Sequence, residues 1–294
     1  MGGEGKLTGV GIAFKRARLS PMAPAQTQTR VIVLSEQLFR AFIGAIAAAV
    51  ISFAARRAHI LSPSGVAASV VAGSVAVAAG WTWGTLLLAF FLSAAGLSAV
   101  GAPRKAAILN AVVAKTGDRD GWQVAANGAL FTAAAAAYMI SPSPIWQAVG
   151  AGALAASSAD TWATELGTLF GKQPRSMISG AHVPAGTSGG VSLAGWMAAV
   201  GGAALVAGGA WLAHWPVPIY AVIAGGLAGS AADSLAGATI QERRWCDACG
   251  TSTERRVHGC GNTTRHAGGI ARLDNDAVNL LCSAAGALVT LVLS

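Results

Sequence analysis

The chain has 294 residues, of which 54% are hydrophobic and only 11% charged, with a formal net charge of +8. Ordinary soluble domains are about one-quarter charged, which excludes a water-soluble globule. Nucleic-acid binding is excluded too, because the basic residues sit in loops between apolar runs without interleaved aromatics.

Residues 1–36 are read as a basic, disordered tail with no apolar stretch before about Val31, so no cleavable leader is expected. Met22 is an alternative start, which would leave Lys6, Lys15, Arg16 and Arg18 in an extension. Residues 37–294 are read as the membrane domain, with spans at about 37–55, 65–80, 84–100, 124–140, 145–168, 188–212, 217–238 and 276–293. These runs are continuous rather than alternating, and their length suits a helix crossing a hydrocarbon core of ~30 Å. The fold class is therefore all-α: a polytopic membrane helix bundle of about 7–8 transmembrane helices. Small residues inside the spans permit close helix–helix approach.

Loop charge sets the orientation. Connections after spans one, three, five and seven carry the basic residues, whereas WTWG, SPSP and HWPVP after spans two, four and six carry no Lys or Arg. The positive-inside rule makes the first set cytoplasmic and gives Trp81, Trp83, Trp146, Trp211 and Trp215 to the outer interface. A bacterial-type inner or plasma membrane, with the active face cytoplasmic, is the expected location.

The chemistry-bearing residues gather at the cytoplasmic span ends. The loop after span three holds Arg104 and Lys105, and span four opens with Arg119, Gln123 and Asn127, the last two one helical turn apart and so on one face. Span five ends in ASSADTWATELG, with Asp160 and Glu165, and span seven in GSAADSLAGATIQE, with Asp233. A carboxylate at membrane depth needs a cation or a hydrogen-bond partner. Mg²⁺ held by Asp160 and Asp233 is one answer, because that ion takes hard oxygen ligands; pairing with a loop Arg or Lys, or a cap, is the other. Between them, Gly186, Thr187, Ser188, Gly189 and Gly190 form a turn read as opening span six, near Lys172 and Arg175. A glycine-rich helix start offers N–H groups to phosphate, although Thr187 or Ser188 could simply be an N-cap. Span eight opens in LDNDAVNLL, with Asn275, Asp276 and Asn279.

The loop at 241–272 contains Cys246, Cys249, His258 and Cys260, the ligand types and number of a tetrahedral zinc site, with His266 an alternative to His258. Structural zinc is favoured over catalytic, since four protein ligands leave no open position. Incidental thiols are the alternative, and Cys282 in span eight is read as packing.

SSADTWATELG, VPAGTSGGVSLAG, AADSLAGATIQ and LDNDAVNLL, in this order and after DRDGWQVAANG, resemble the integral-membrane family formerly called domain of unknown function 92. That family includes plant phytyl-phosphate kinase and animal transmembrane protein 19, and the resemblance covers about residues 40–293. It implies a prenyl (lipid) phosphate kinase using a nucleoside triphosphate such as CTP. Asp160, Glu165, Asp233, Asp276 and Asn279 would then be catalytic, and Lys105, Arg119, Gln123, Asn127, Arg175 and Gly186 to Gly190 would bind phosphate or nucleotide. The Cys/His loop departs from the plant and animal pattern. The alternative is a transporter or lipid-handling protein whose polar cluster binds an ion or anion.

Overall fold

Continuous apolar composition with almost no internal charge leaves helix as the way for these segments to satisfy their own backbone in lipid. The computed structural model describes residues 24–109, 113–115 and 117–294, with side chains from 33 onward. Every predicted span is a helix: α1 (Pro24–Arg57), α2 (Pro63–Ala79), α3 (Trp81–Ala99), α5 (Gly121–Ile140), α6 (Pro144–Phe170), α7 (Leu193–Leu212), α8 (Ile219–Thr239) and α9 (Asn275–Leu293). Between α3 and α5, where the sequence predicts a loop, lies a short helix, α4 (Ala102–Leu109). Eight residues are too few to show an apolar period in the sequence.

Residues up to Glu36 and residues from Gln37 onward form separate contact units. Of the expected tail, residues 1–23 lie outside the described residues, as does the reading of Met22; residues 24–36 are helical, so the helix begins earlier than the predicted boundary.

Among the described residues, six helices are long and apolar enough to cross a membrane: α1 from Val33, α3, α5, α7, α8 and α9. The helix α2 is a 17-residue apolar helix. At 27 residues α6 is long enough, but it is rich in small and polar residues. It needs no lipid-facing coat, because every residue from Gly150 to Ala159 is buried and α3, α4, α5, α7, α8 and α9 all pack on it. The outer helices face the other way: Phe39, Phe42, Val50 and Phe53 of α1 and Leu288 and Val292 of α9 are exposed apolar side chains that lipid would cover.

Without a hydrophobic drive between helices in lipid, close packing and buried hydroxyls hold the bundle. Ser157 Oγ on α6 donates to Asn127 O of α5 (2.8 Å) and lies 2.9 Å from Ser283 Oγ on α9. Thr290 Oγ1 on α9 donates to Ala221 O of α8 at 3.2 Å.

Two expectations are corrected. Trp83 and Trp215 do not face lipid as an aromatic belt would: both are buried, and the Trp83 ring lies 4.5 Å from Trp215, 5.2 Å from Phe131 and 5.6 Å from Tyr138. Large rings fill the volume that Ala-rich helices leave at this end, while Trp81 and Trp211 stay exposed. Nor does Gly186 to Gly190 open a helix. The helix α7 is capped by Ser192, whose Oγ accepts from Gly195 N at 3.1 Å. The glycine turn instead leads into the two-residue strand β2 (Gly190–Val191), paired antiparallel with β1 (Arg175–Ser176).

Candidate functional site: an acid-lined cavity

The helices enclose a cavity of about 920 Å³ with two characters. One end is lined by Asp160, Glu165, Asp233, Asp276, Asn279, Lys105, Arg119, Gln123 and Asn127. The rest runs as an apolar arm between α1, α2 and α3, past Ala48, Ala72, Val77, Leu88 and Phe91 to Trp81. The volume falls within the ~300–1,000 Å³ usual for small-molecule sites.

At the floor of the polar end, Asp160 on α6 and Asp233 on α8 lie within hydrogen-bond reach of each other. Asp233 Oδ1 is buried and has no hydrogen-bond partner. Ionised together at this separation they would repel by several kcal/mol even at an effective dielectric of ~20. They therefore share a proton or a cation.

Glu165, one and a half turns further along α6, behaves differently. It accepts from Lys105 Nζ and Ser98 Oγ, and Arg119 Nη2 lies 3.7 Å away. Lys105 is buried and also donates to Leu97 O (2.7 Å) and Ser98 O (3.0 Å), which spends all three of its N–H groups. Its sequence reading as a phosphate ligand gives way to that of a clamp joining α4, α3 and α6. Arg119 donates to Ser98 Oγ at 2.9 Å and keeps further N–H groups for the cavity; burial lowers its pKa and Glu165 opposes that shift. Lys105→Met should therefore destabilise the fold by about 3–5 kcal/mol, the cost of breaking one side of a buried pair. A drop in apparent Tm in detergent checks this, and an unchanged Tm would return Lys105 to the ligand set.

The amides are partly occupied. Gln123 Oε1 accepts from Asp120 N at 3.0 Å while Asp120 Oδ1 accepts from Gln123 N, a capping box that starts α5. Asn127 Nδ2 donates to Gln123 O at 3.0 Å, and Asn279 lines the cavity from α9. Asp276 Oδ2 accepts from Lys115 Nζ at 2.5 Å, with Asp120 Oδ2 2.9 Å from the same nitrogen. Burial works against the charge on Lys115, yet the bonds to Asp276 and Asp120 outweigh it and raise its pKa. Arg175 stands outside the lining: it is exposed and donates to Gly180 O at 2.8 Å. Gly186 to Gly190 also stand outside the lining, and Ser188 meets the cavity indirectly, by donating to Glu254, which does line it.

Glu254 was missed in the sequence. It lines the cavity, accepts from Ala114 N at 3.3 Å as well as from Ser188, and adds negative charge near Asp233. Burial raises its pKa, against the bonds from Ser188 and Ala114. It reaches the site because the loop folds back as a three-stranded sheet, β3 (Arg243–Cys246), β4 (Thr251–Thr253) and β5 (Arg265–Gly268), in the order β4-β3-β5. The only signal was an acid just downstream of the Cys-x-x-Cys pair.

Within that cap one ligand atom each from Cys246, Cys249, His258 and Cys260 lie within 4.8 Å of one another. His266 is drawn off by Glu242, with Nδ1 to Oε1 at 3.5 Å. Hydrogen bonds from Asn262, joined by His258, pull the Cys260 thiol down to about 5. Cys282 is buried in α9.

Comparison with known proteins gives one family, whose model, described as integral membrane protein DUF92, matches residues 46–287. The chain is similar to Protein PGR of Arabidopsis thaliana, 30% identical over 277 residues, which is 83% of this chain and 92% of that protein. It is also similar to an uncharacterized membrane protein of Methanocaldococcus jannaschii, 30% identical over 71% of this chain and 86% of the relative. A further relative, an uncharacterized membrane protein of Synechocystis, is 31% identical over 63% of this chain and 73% of its own length. No solved structure matches.

Proposed function

The chain belongs to the DUF92 family of integral membrane proteins, and from that premise we propose that it is a prenyl (lipid) phosphate kinase. It transfers the γ-phosphoryl group of a nucleoside triphosphate, CTP foremost, to a prenyl monophosphate. The observation that carries this reading is the cavity of about 920 Å³, which joins an ionic end to an apolar arm and so suits a ligand with a charged head and a hydrocarbon tail.

In the reaction an oxygen of the lipid monophosphate attacks the γ-phosphorus. The bond from that phosphorus to its bridging oxygen breaks, leaving a nucleoside diphosphate and a lipid diphosphate. Such transfer asks the protein for position and charge rather than covalent chemistry. Asp160 and Asp233 would hold a Mg²⁺, a fit supported by their hard oxygen donors and by the partnerless Asp233 Oδ1. Bound there, the ion supplies positive charge to the phosphate oxygens. Arg119, held by Glu165 and Ser98, turns its remaining N–H groups toward the phosphates. Asn127 and Asn279 add neutral polar groups along the same wall, and Asp276 keeps Lys115 at the rim. Glu254, held by Ser188 of the glycine turn, adds an acid to the same lining.

The active face is assigned to the cytoplasm, because Lys115 and Arg119 line the cavity's polar end in a set of connections that also holds Arg56, Arg57 and Arg104, while the opposite connections lack Lys and Arg. A transporter needs a second polar opening, and the connections at the far end (WTWG, SPSP and HWPVP) carry no Lys or Arg to form one.

Purified protein incubated with labelled CTP or ATP, Mg²⁺ and a panel of prenyl monophosphates should yield labelled diphosphate; no transfer to any member would end the kinase reading. The arm makes a separate prediction. Ala72→Phe intrudes on it, so KM for long-chain substrates should rise about tenfold or more, while a five-carbon analogue that does not reach the arm is unaffected. Equal effects on both chain lengths would show that the tail lies elsewhere.

A further inference from the structure

The cap at 241–272 lacks what a domain of its size needs to fold. Its buried residues are Gln241, Cys246, Thr253 and Thr264, so it has no apolar core of its own. Segments below about 40 residues generally rely on a disulfide, a metal or a partner surface. Its four cysteine and histidine ligands come from two tight turns that face each other. In the first, Gly250 N donates to Cys246 O at 2.9 Å, closing the turn that carries Cys249. In the second, His258 N donates to Asn262 O and Gly261 N to His258 O, both at 2.9 Å, which sets His258 and Cys260 on one side.

Cys246 Sγ lies 3.6 Å from Cys260 Sγ, and His258 Nδ1 lies 3.3 Å from the same sulfur. A tetrahedral zinc with Zn–S of ~2.3 Å and Zn–N of ~2.0 Å spaces its ligands by roughly 3.5–3.8 Å. The other ring nitrogen, His258 Nε2, is buried without a partner, which leaves the imidazole without a protein-made tautomer preference on that side. Three thiolates and one imidazole are a soft, tetrahedral donor set that selects zinc over magnesium or calcium.

The same cap reaches the cavity. Strand β4 ends at Thr253 and continues directly into Glu254, which accepts from Ser188 and Ala114, and into Arg255, whose Nε donates to Val113 O at 2.9 Å. The segment it grips carries Lys115, the partner of Asp276. We propose that Cys246, Cys249, His258 and Cys260 bind one structural zinc ion, and that this ion folds the β3–β5 cap and thereby holds Glu254 over the mouth of the cavity. Metal binding would supply the folding free energy that the missing core does not. The proposal is independent of the kinase reading, and its test reads no activity.

Full-length protein purified without a metal-affinity step should contain one zinc per chain by elemental analysis, and Cys249→Ser/Cys260→Ser none. Because the variant could fail to fold, wild-type protein exchanged with Co²⁺ provides a second readout: tetrahedral d–d bands with thiolate-to-cobalt charge transfer are expected. Zinc-free wild-type protein with freely reactive thiols, a Cys246–Cys260 disulfide, or an octahedral cobalt spectrum would each overturn the site. For the link to the cavity, chelation should speed amide exchange by about tenfold or more in residues 243–268 and in 113–115 while α6 and α9 stay protected. Unchanged exchange at 113–115 would remove the link.

Discussion

Asp160→Asn and Asp233→Asn should each lower kcat for phosphoryl transfer by about 10²–10³, the loss that follows removal of one preorganised charge-stabilising group (about 2.7–4 kcal/mol). Asparagine keeps the shape of the side chain, so the bundle has no packing reason to change. What goes is a negative charge beside another, in a place where Asp233 already has a partnerless buried oxygen. The two variants should therefore be at least as stable as wild type when Mg²⁺ is absent, because each relieves repulsion between the carboxylates. They should also lose the stabilisation that Mg²⁺ confers on wild type. Lost activity with retained or raised apparent Tm is the signature of a site that trades stability for function. If both variants turned over at the wild-type rate, or if Mg²⁺ stabilised them as it does wild type, the two aspartates would not be the metal ligands.

The helices were legible in the sequence because membrane helices must be continuously apolar, a constraint stronger than any local propensity. The placement of acids at matching span ends was legible for the same reason: Asp160, Glu165, Asp233 and Asp276 stand out against an apolar background, and all four line one cavity. Their division of labour was not. Glu165 and Asp160 differ by five positions on one helix, yet the first is enclosed by Lys105, Ser98 and Arg119 and the second faces another carboxylate, Asp233. That distinction depends on α4, too short to leave a periodic trace, bringing Lys105 under the site. Gln123 is read as a face residue of α5, although Asp120-x-x-Gln123 ahead of an apolar run also carries the sequence signature of the capping box that the structure forms.

Loops were the least legible part. The glycine turn looked like a helix start because glycines preceded an apolar run, but Ser192 outcompeted it as the cap and left the turn packed on α8 through Gly189 and Ala238. Glu254 could not be placed without knowing that its strand folds back over the helix ends. The tryptophans were assigned by the habit of aromatic belts, whereas helices built from alanine and glycine need large rings to fill the space left between them, and Trp83 does so.

Those same small residues make the other large prediction. Gly286 of α9 sits where α6, α8 and α9 cross, and a Cβ there would come 2.5 Å from Ala156 Cβ, 2.6 Å from Gly152 O and 3.0 Å from Gly225 O. Two of these three neighbours are backbone oxygens of other helices, which cannot swing aside as a side chain tip could. Overpacking a core by a methylene usually costs ~1–3 kcal/mol, and Gly286→Ala should fall at the top of that range or above it because three helices must separate together. The hydroxyl bridge from Ser157 to Ser283 and Asn127, one turn away on α9, should loosen with them. Since Asp160 and Asp233 ride on α6 and α8, the helices pushed apart, their separation should grow and Mg²⁺ affinity should fall along with stability. The expected result is a clear drop in apparent Tm in detergent for Gly286→Ala, and loss of monodisperse protein for Gly286→Leu. Gly96→Ala on α3, where a Cβ meets no atom within 4 Å, is the control and should be neutral or slightly stabilising. Equal behaviour of the two alanine variants would mean that the three helices do not cross as closely as described, and the juxtaposition of the acids would lose its physical basis.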